Sequence, residues 1–304
     1  TLTFPVFVAP SSGQGALHPD GEMGMYRATT AVRTIMAVAN GPSVPHPRIA
    51  QAADGVRWNQ FYPVPDLEAS RTVLTQFQDL GARAIVVTVD NQANVFERDL
   101  HNRNLGGVVR PVGGRGRGAA PAPQLPTAPP RMTSSPAIPS FVPVSRYRVP
   151  NRRLWYNWQY IDEVRSMIKV PMLIKGILTR EDAAECVRRV VDGIIVSNHG
   201  GRSMDYGPST LEVLPEIVDA VGGRVAVIVD SGFRRGADVF KALALGAAAV
   251  ELGRAARWGL GAFGAAGAER LLEILRQELV MAAAVAGCPS LSSIDRACVK
   301  ANFS

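Results

Sequence analysis

Eight short runs rich in Val, Ile, Leu and Ala recur along the chain, separated by stretches with helical periodicity, and this alternation leaves few folds open. The runs are Phe4–Ala9, Thr34–Val38, Arg57–Phe61, Ala84–Val89, Pro171–Lys175, Gly193–Ser197, Val225–Asp230 and Ala248–Gly253. They are continuous rather than alternating, as strands covered on both faces are. Between them the spacing predicts helices, among them Leu67–Leu80, Thr179–Val190, Leu211–Val221 and Gly236–Leu245. Thr179 with Asp182 three residues on is a start signal of capping-box type, and Gly246 is a stop signal. A last helical stretch, Ala268–Ala286, is expected to pack outside.

Strands alternating with helices imply a parallel sheet. Eight strands suit a closed barrel better than an open doubly wound sheet, although periodicity by itself leaves closure undecided. The 304 residues accommodate one such barrel, which typically needs ~250. The expected fold class is α/β, a (β/α)₈ TIM barrel formed by residues 1–304 as a single domain. One segment breaks the pattern. Residues 105–150, including GGRGRGAAPAPQLPTAPP, are rich in Gly, Pro, Ala and Arg and read as a long flexible loop after the fourth strand. It is either a linker or a lid, and it leaves the barrel on the face where active sites form.

Charge and cysteine content narrow the function. The net charge is +7, which suits an anionic ligand such as a phosphate-bearing cofactor or an acidic substrate. No zinc-finger or helix-turn-helix pattern accompanies it, so nucleic acid is not the expected partner. Three cysteines without a CxxC form neither a disulfide framework nor a structural zinc site, and no metal is expected. No apolar run reaches the ~18 residues of a membrane span, and no signal-peptide pattern is present. The expected location is the cytoplasm. The sequence opens at Thr1, beside a strand and without a Met, so an upstream segment is expected.

The chemistry sits where the runs end. Thr88 and Asp90 close the fourth, Lys175 the fifth, and Ser197, Asn198, His199 and Arg202 the sixth. Asp230, Gly232, Arg234 and Arg235 follow the seventh, Gly253 and Arg254 the eighth. In a barrel these ends converge on one mouth. The last two read as a phosphate site: glycines admit backbone N–H groups, and arginines supply forked donors. In SNHGGR (197–202), His199 can take a proton near neutral pH and Arg202 can hold a carboxylate in a fork. Asp90 can stabilise the resulting imidazolium, and Lys175 negative charge on an electron-accepting ring. His18, His46 and His101 lack such company and read as structural or solvent-facing.

These residues resemble the FMN-dependent 2-hydroxy-acid oxidase and dehydrogenase family, which includes glycolate oxidase, lactate oxidase and mandelate dehydrogenase. The resemblance runs through PVFVAPSSGQGALHPDGE (5–22), WNQFY (58–62), VVTVD (86–90), PMLIKGILTREDA (171–183), GIIVSNHGGRSMD (193–205), VDSGFRRGADVFKALALGA (229–247) and ELGR (251–254). The DSG variant and the tail look closest to lactate oxidase. The resemblance implies FMN as cofactor, a small 2-hydroxy acid as substrate, oxygen or another electron acceptor, and a homo-oligomer, commonly a tetramer. It implies that Pro10, Ser11 and Ser12 lie against the flavin and that Gln60, Thr88, Lys175 and Ser197 contact its ring. Asp230, Gly232, Arg234, Gly253 and Arg254 would hold the ribityl chain and phosphate. Tyr62, Asp90, His199 and Arg202 would form the catalytic and substrate-binding set.

The sequence departs from the family in three places. It begins after the N-terminal segment that carries a substrate-binding tyrosine. Ala39 and Gly41 replace a serine and a tryptophan. Phe96 stands where the family has a second carboxylate-binding arginine, with Arg98 two residues away. Phe96 predicts a preference for hydrophobic or aromatic 2-hydroxy acids. The alternatives are a flavin-binding barrel with lost or altered catalysis and another type of FMN barrel enzyme.

Overall fold

The computed structural model describes residues 4–90, 157–203 and 206–301. His101, Phe96, Arg98 and the segment 105–150 lie outside the described residues. The strands β1 (Val6–Val8), β2 (Ile35–Val38), β3 (Val56–Phe61), β4 (Ile85–Thr88), β5 (Met172–Ile177), β6 (Gly193–Val196), β7 (Ala226–Val229) and β8 (Ala249–Leu252) form a closed barrel in sequential order. Every pairing is parallel, and β1 closes on β8 through Val6↔Val250 and Val8↔Leu252. Each predicted run overlaps one of these strands, so the expected (β/α)₈ barrel is the observed fold.

Around the barrel lie α1 (Gly21–Ala31), α2 (His46–Ala50), α3 (Leu67–Asp79), α4 (Trp158–Met167), α5 (Arg180–Arg188), α6 (Thr210–Val221), α7 (Gly236–Ala244) and α8 (Arg254–Val285). Their ends follow local chemistry. Thr179 accepts a hydrogen bond from Asp182 N at 3.2 Å and starts α5. Ser209 and Glu212 cap α6 reciprocally, satisfying two backbone N–H groups that the helix leaves unpaired. Gly246, at φ 102°, ends α7 in the left-handed region. The last helix begins at Arg254 rather than Ala268 and breaks at Phe263 and Gly264. Its first part is too rich in Ala and Gly to give a clear amphipathic signal.

The strands sort their side chains by parity. Phe7, Ile35, Ala84, Val86, Leu173, Ile195, Ile228 and Ala249 fill the barrel interior, with Trp58 edge-on to Phe7 at 5.2 Å between ring centroids. Their neighbours in sequence, such as Val6, Met36, Ile85, Ile174, Ile194, Val229 and Val250, pack outward under the helices. Branched residues in such layers make a packed core rather than a pore. The C-terminal segment closes over α7, with the free thiols of Cys288 and Cys298 3.5 Å apart. Among the described residues no helix is long and apolar enough to cross a membrane.

Candidate active site

Above the apolar interior, the next inward positions are polar. Gln60, Thr88, Lys175, Ser197, Asp230 and Glu251 are all buried. Lys175 is the hub. Its ammonium donates to Ser197 Oγ at 2.7 Å and lies 3.1 Å from Asp230 Oδ2 and 3.8 Å from Asp90 Oδ2. A β-bulge between Lys175 and Ile177 lets β5 continue past this residue, as bulges next to active sites commonly do. The bulge residue is Gly176 at φ 107°, and a β-carbon there would sit 2.6 Å from Asp90 Cβ. Only glycine combines that backbone with that approach, and it brings Asp90 to Lys175.

Asp90 in turn holds His199. Asp90 Oδ1 lies 2.8 Å from His199 Nδ1. Burial alone would push the Asp90 carboxyl up, but the Lys175 charge and the bond from His199 hold it below the ordinary carboxylate range. A carboxylate can only accept, so the Nδ1–H donates and Nε2 becomes the ring's acceptor. His199 stands at φ 57°, unusual for a residue with a side chain. Its N–H donates to Ser197 Oγ at 3.1 Å.

The loop after β7 supports this turn. Ser231, at φ 76°, donates to Asp230 Oδ1 at 2.6 Å and accepts from Gly200 N at 3.0 Å. Arg254 Nη2 donates to Gly200 O at 2.9 Å. Burial would lower the Lys175 ammonium, yet Asp230 first and Asp90 next hold it above its usual value. It therefore stays charged.

The remaining predicted residues lie around the same mouth. Gly232, at φ 97°, has open space where a β-carbon would point, as does Gly253 at the N-cap of α8. Arg254 opens that helix, whose free N–H groups and dipole favour an anion. Arg234 stacks over Trp258 with 4.8 Å between guanidinium and ring centroid. Arg235 is drawn away to Glu278, 2.8 Å distant, so the two consecutive arginines do not act together. Gln60 Oε1 accepts from Asn40 N at 2.9 Å. Tyr62 is half-buried beside Asn40, and Arg202 is exposed in the turn after His199. Pro10, Ser11 and Ser12 form the loop after β1, where Gln14 Nε2 donates to Ser11 O at 3.0 Å. His46 is structural, with its Nδ1 3.1 Å from Asn59 Nδ2.

Sequence reasoning did not single out four contributors. Ser231 supports the turn that carries His199, accepting from Gly200 N. Glu22, fully buried, accepts from Gln14 N at 3.2 Å and Ser43 N at 2.9 Å, tying the loops after β1 and β2 together. Arg257 is a half-buried cation whose guanidinium is lowered first by burial and then by the charge of Arg202. Glu251 is a buried acid whose inward parity on β8 was the available signal.

These residues fit FMN. Gln60 Nε2 is a buried nitrogen without a hydrogen-bond partner, Lys175 is a buried cation, and two glycine positions open beside a helix N-terminus. Comparison with known proteins agrees. Residues 1–301 match the FMN-dependent dehydrogenase family. A peroxisomal (S)-2-hydroxyacid oxidase of Arabidopsis thaliana is 37% identical over 296 residues, covering 97% of this chain and 77% of the relative. The 2-hydroxyacid oxidase 1 of Mus musculus is 36% identical over 312 residues, covering 99% and 79%. Mandelate oxidase with a difluorinated hydroxyphenylpropionic acid superposes with a TM-score of 0.76 at 34% identity, over 96% of this chain and 77% of that one. The chain is an FMN enzyme and belongs to the FMN-dependent dehydrogenase family.

Proposed function

We propose that the protein oxidises a 2-hydroxy acid to the 2-oxo acid, with His199 as the base and Arg202 holding the substrate carboxylate. The observation that carries this reading is the 2.8 Å contact between Asp90 and His199 beside the buried Lys175. Asp90 fixes the imidazole so that Nε2 is the proton acceptor, and it stabilises the imidazolium once the proton has moved. Arg202 offers a planar fork matched to a carboxylate. Tyr62 shares the mouth and would complete substrate binding.

When bound, FMN supplies the two-electron acceptor for the reaction. Pro10, Ser11 and Ser12 would lie against its ring, with Gln60, Thr88, Lys175 and Ser197 at its polar edge. Asp230, Gly232, Arg234, Gly253 and Arg254 would take its ribityl chain and phosphate. Lys175, which stays charged, would offset the negative charge gained on reduction. Oxygen or another electron acceptor would complete turnover. The oxidation of 2-hydroxy acids named for the plant and mouse relatives supports the substrate class, and mandelate oxidase supports an aromatic member.

The test is anaerobic mixing of purified yellow protein with glycolate, lactate, 2-hydroxyoctanoate and mandelate while the flavin absorbance is followed. Bleaching by at least one acid, with recovery on admitting an acceptor, is the expected outcome. Retention of FMN with no bleaching by any of them would overturn the reading.

A further inference from the structure

Glu251 is a charged residue type in a place that gives it no partner. The register of β7 and β8 pairs Ile228 with Ala249 and Val229 with Val250. Ile228 and Ala249 face the barrel interior, whereas Val229 and Val250 face outward. Two residues further along, Asp230 and Glu251 therefore both point inward from neighbouring strands, about 4.8 Å apart at the backbone. On the other side Glu251 is paired with Phe7 of β1, which offers no polar atom. Glu251 is 1% exposed, and neither of its carboxyl oxygens has a hydrogen-bond partner.

Asp230 is the opposite case. It faces the Lys175 ammonium at 3.1 Å and accepts from Ser231 Oγ at 2.6 Å. Two buried inward carboxyls on adjacent strands, one of them without a hydrogen-bond partner, cannot both be ionised without a large cost, and one proton stays with the pair. Asp230 has the Lys175 ammonium and the Ser231 hydroxyl as partners whereas Glu251 has no hydrogen-bond partner, so the proton belongs on Glu251.

We propose that Glu251 is the proton-holding member of a carboxyl pair with Asp230, a positioning residue that sets the charge around Lys175 and hence the reduction potential of bound FMN. The inference rests on the FMN assignment for its consequence, although the proton itself is a property of this chain. Among the described residues the charged groups facing Glu251 are Asp230, just after β7, and Lys175 from β5. Burial first, and then Asp230, push its carboxyl up to about 8, with Lys175 opposing. Below that pH the group around Lys175 contains Asp90 and Asp230 as its carboxylates. Above it, a third negative charge enters a region of low dielectric and disfavours the charge that the flavin gains on reduction.

The sign of the stability effect follows from linkage. The folded value lies above the ordinary 4.5, so between the two the unfolded chain gives up a proton that the folded chain keeps. Stability falls as pH rises across that window and levels off above about 8.

The experiment compares the holoenzyme with Glu251→Gln, which keeps the shape without the charge. The wild-type folding equilibrium should lose roughly tenfold per pH unit relative to Glu251→Gln between the two values. The wild-type flavin potential should drop more steeply than that of the variant as pH crosses about 8. In wild-type protein alone, infrared spectroscopy should show a protonated-carboxyl band at neutral pH that vanishes above that point. This last measurement decides the matter even if the variant fails to fold. Absence of that band, or parallel melting and potential curves for the two proteins, would overturn the proposal. A chain that keeps the band and the melting behaviour but binds no FMN would instead refute the cofactor's place in this site.

Discussion

Four strands carry Leu173, Ile195, Ile228 and Ala249 into the barrel interior. Two residues further on, the same strands carry Lys175, Ser197, Asp230 and Glu251. The backbone, parity and burial are alike, yet one layer is wholly apolar and the other is a connected set of charges and hydroxyls. The lower layer is held by area removed from water, at ~25 cal/mol per Å². The upper layer cannot be. Its groups lose hydration on burial and offset that cost by pairing, as Lys175 does with Asp230 and Ser197, or by holding a proton, as proposed for Glu251. A barrel separates stability from chemistry by a single pleat, and the difference between the layers can be probed by substitution.

The largest expected effect lies just above the polar layer. His199 hangs from it through Asp90 at 2.8 Å. His199→Ala should keep FMN and the fold while slowing flavin reduction by roughly 10²–10⁴-fold. Rapid-mixing spectroscopy under anaerobic conditions reads the rate directly. Reduction at nearly the wild-type rate would mean that the site's proton goes elsewhere.

Lys175 comes next, because it belongs to both accounts. Lys175→Met fills the volume but leaves Asp90 and Asp230 without their cation, and breaking such a buried pair costs ~3–5 kcal/mol. Denaturant unfolding should find that loss at neutral pH. Asp90 is held below its ordinary 3.8 in the wild type, so its contribution is present above that value and is lost as pH falls through the lower, folded one. The gap between wild type and Lys175→Met should therefore narrow on acidification. A gap that stays constant would show that Lys175 acts through packing alone.

Much of this division was legible in the sequence. Each strand was found because a run covered on both faces is continuous, and the ends of the last five were found because polar residues appear there. Boundaries moved by a residue or two: Ser197 and Asp230 lie just past the ends of β6 and β7 and already belong to the mouth, whereas β5 runs on past Lys175 to Ile177 through its bulge. The start of α8 at Arg254 was hidden by Ala and Gly, which give no amphipathic stripe. The pairing of Asp90 with His199 spans 109 positions and depends on the backbone of Gly176, so periodicity had no means of specifying it. The lone Glu251 was readable from strand parity, since every second residue of β8 faces inward, but ELGR draws attention to its glycine and arginine instead.

The smallest effect is the sharpest test of the comparison. Ile228 lies one pleat below Asp230 on β7 and is 3% exposed. Ile228→Val removes one methylene from the apolar layer, which typically costs ~0.5–1.5 kcal/mol. The substitution alters no charge, hydrogen bond or backbone angle, so flavin reduction by the best substrate should keep its wild-type rate and pH profile. Thermal unfolding should report the full loss. If Ile228→Val shifts the pH profile or the flavin potential as Glu251→Gln or Lys175→Met does, the two layers are mechanically coupled, and the polar layer is placed by the exact packing beneath it. If only the melting temperature moves, the apolar layer is a support that tolerates change, and the chemistry is set by pairings within the layer above.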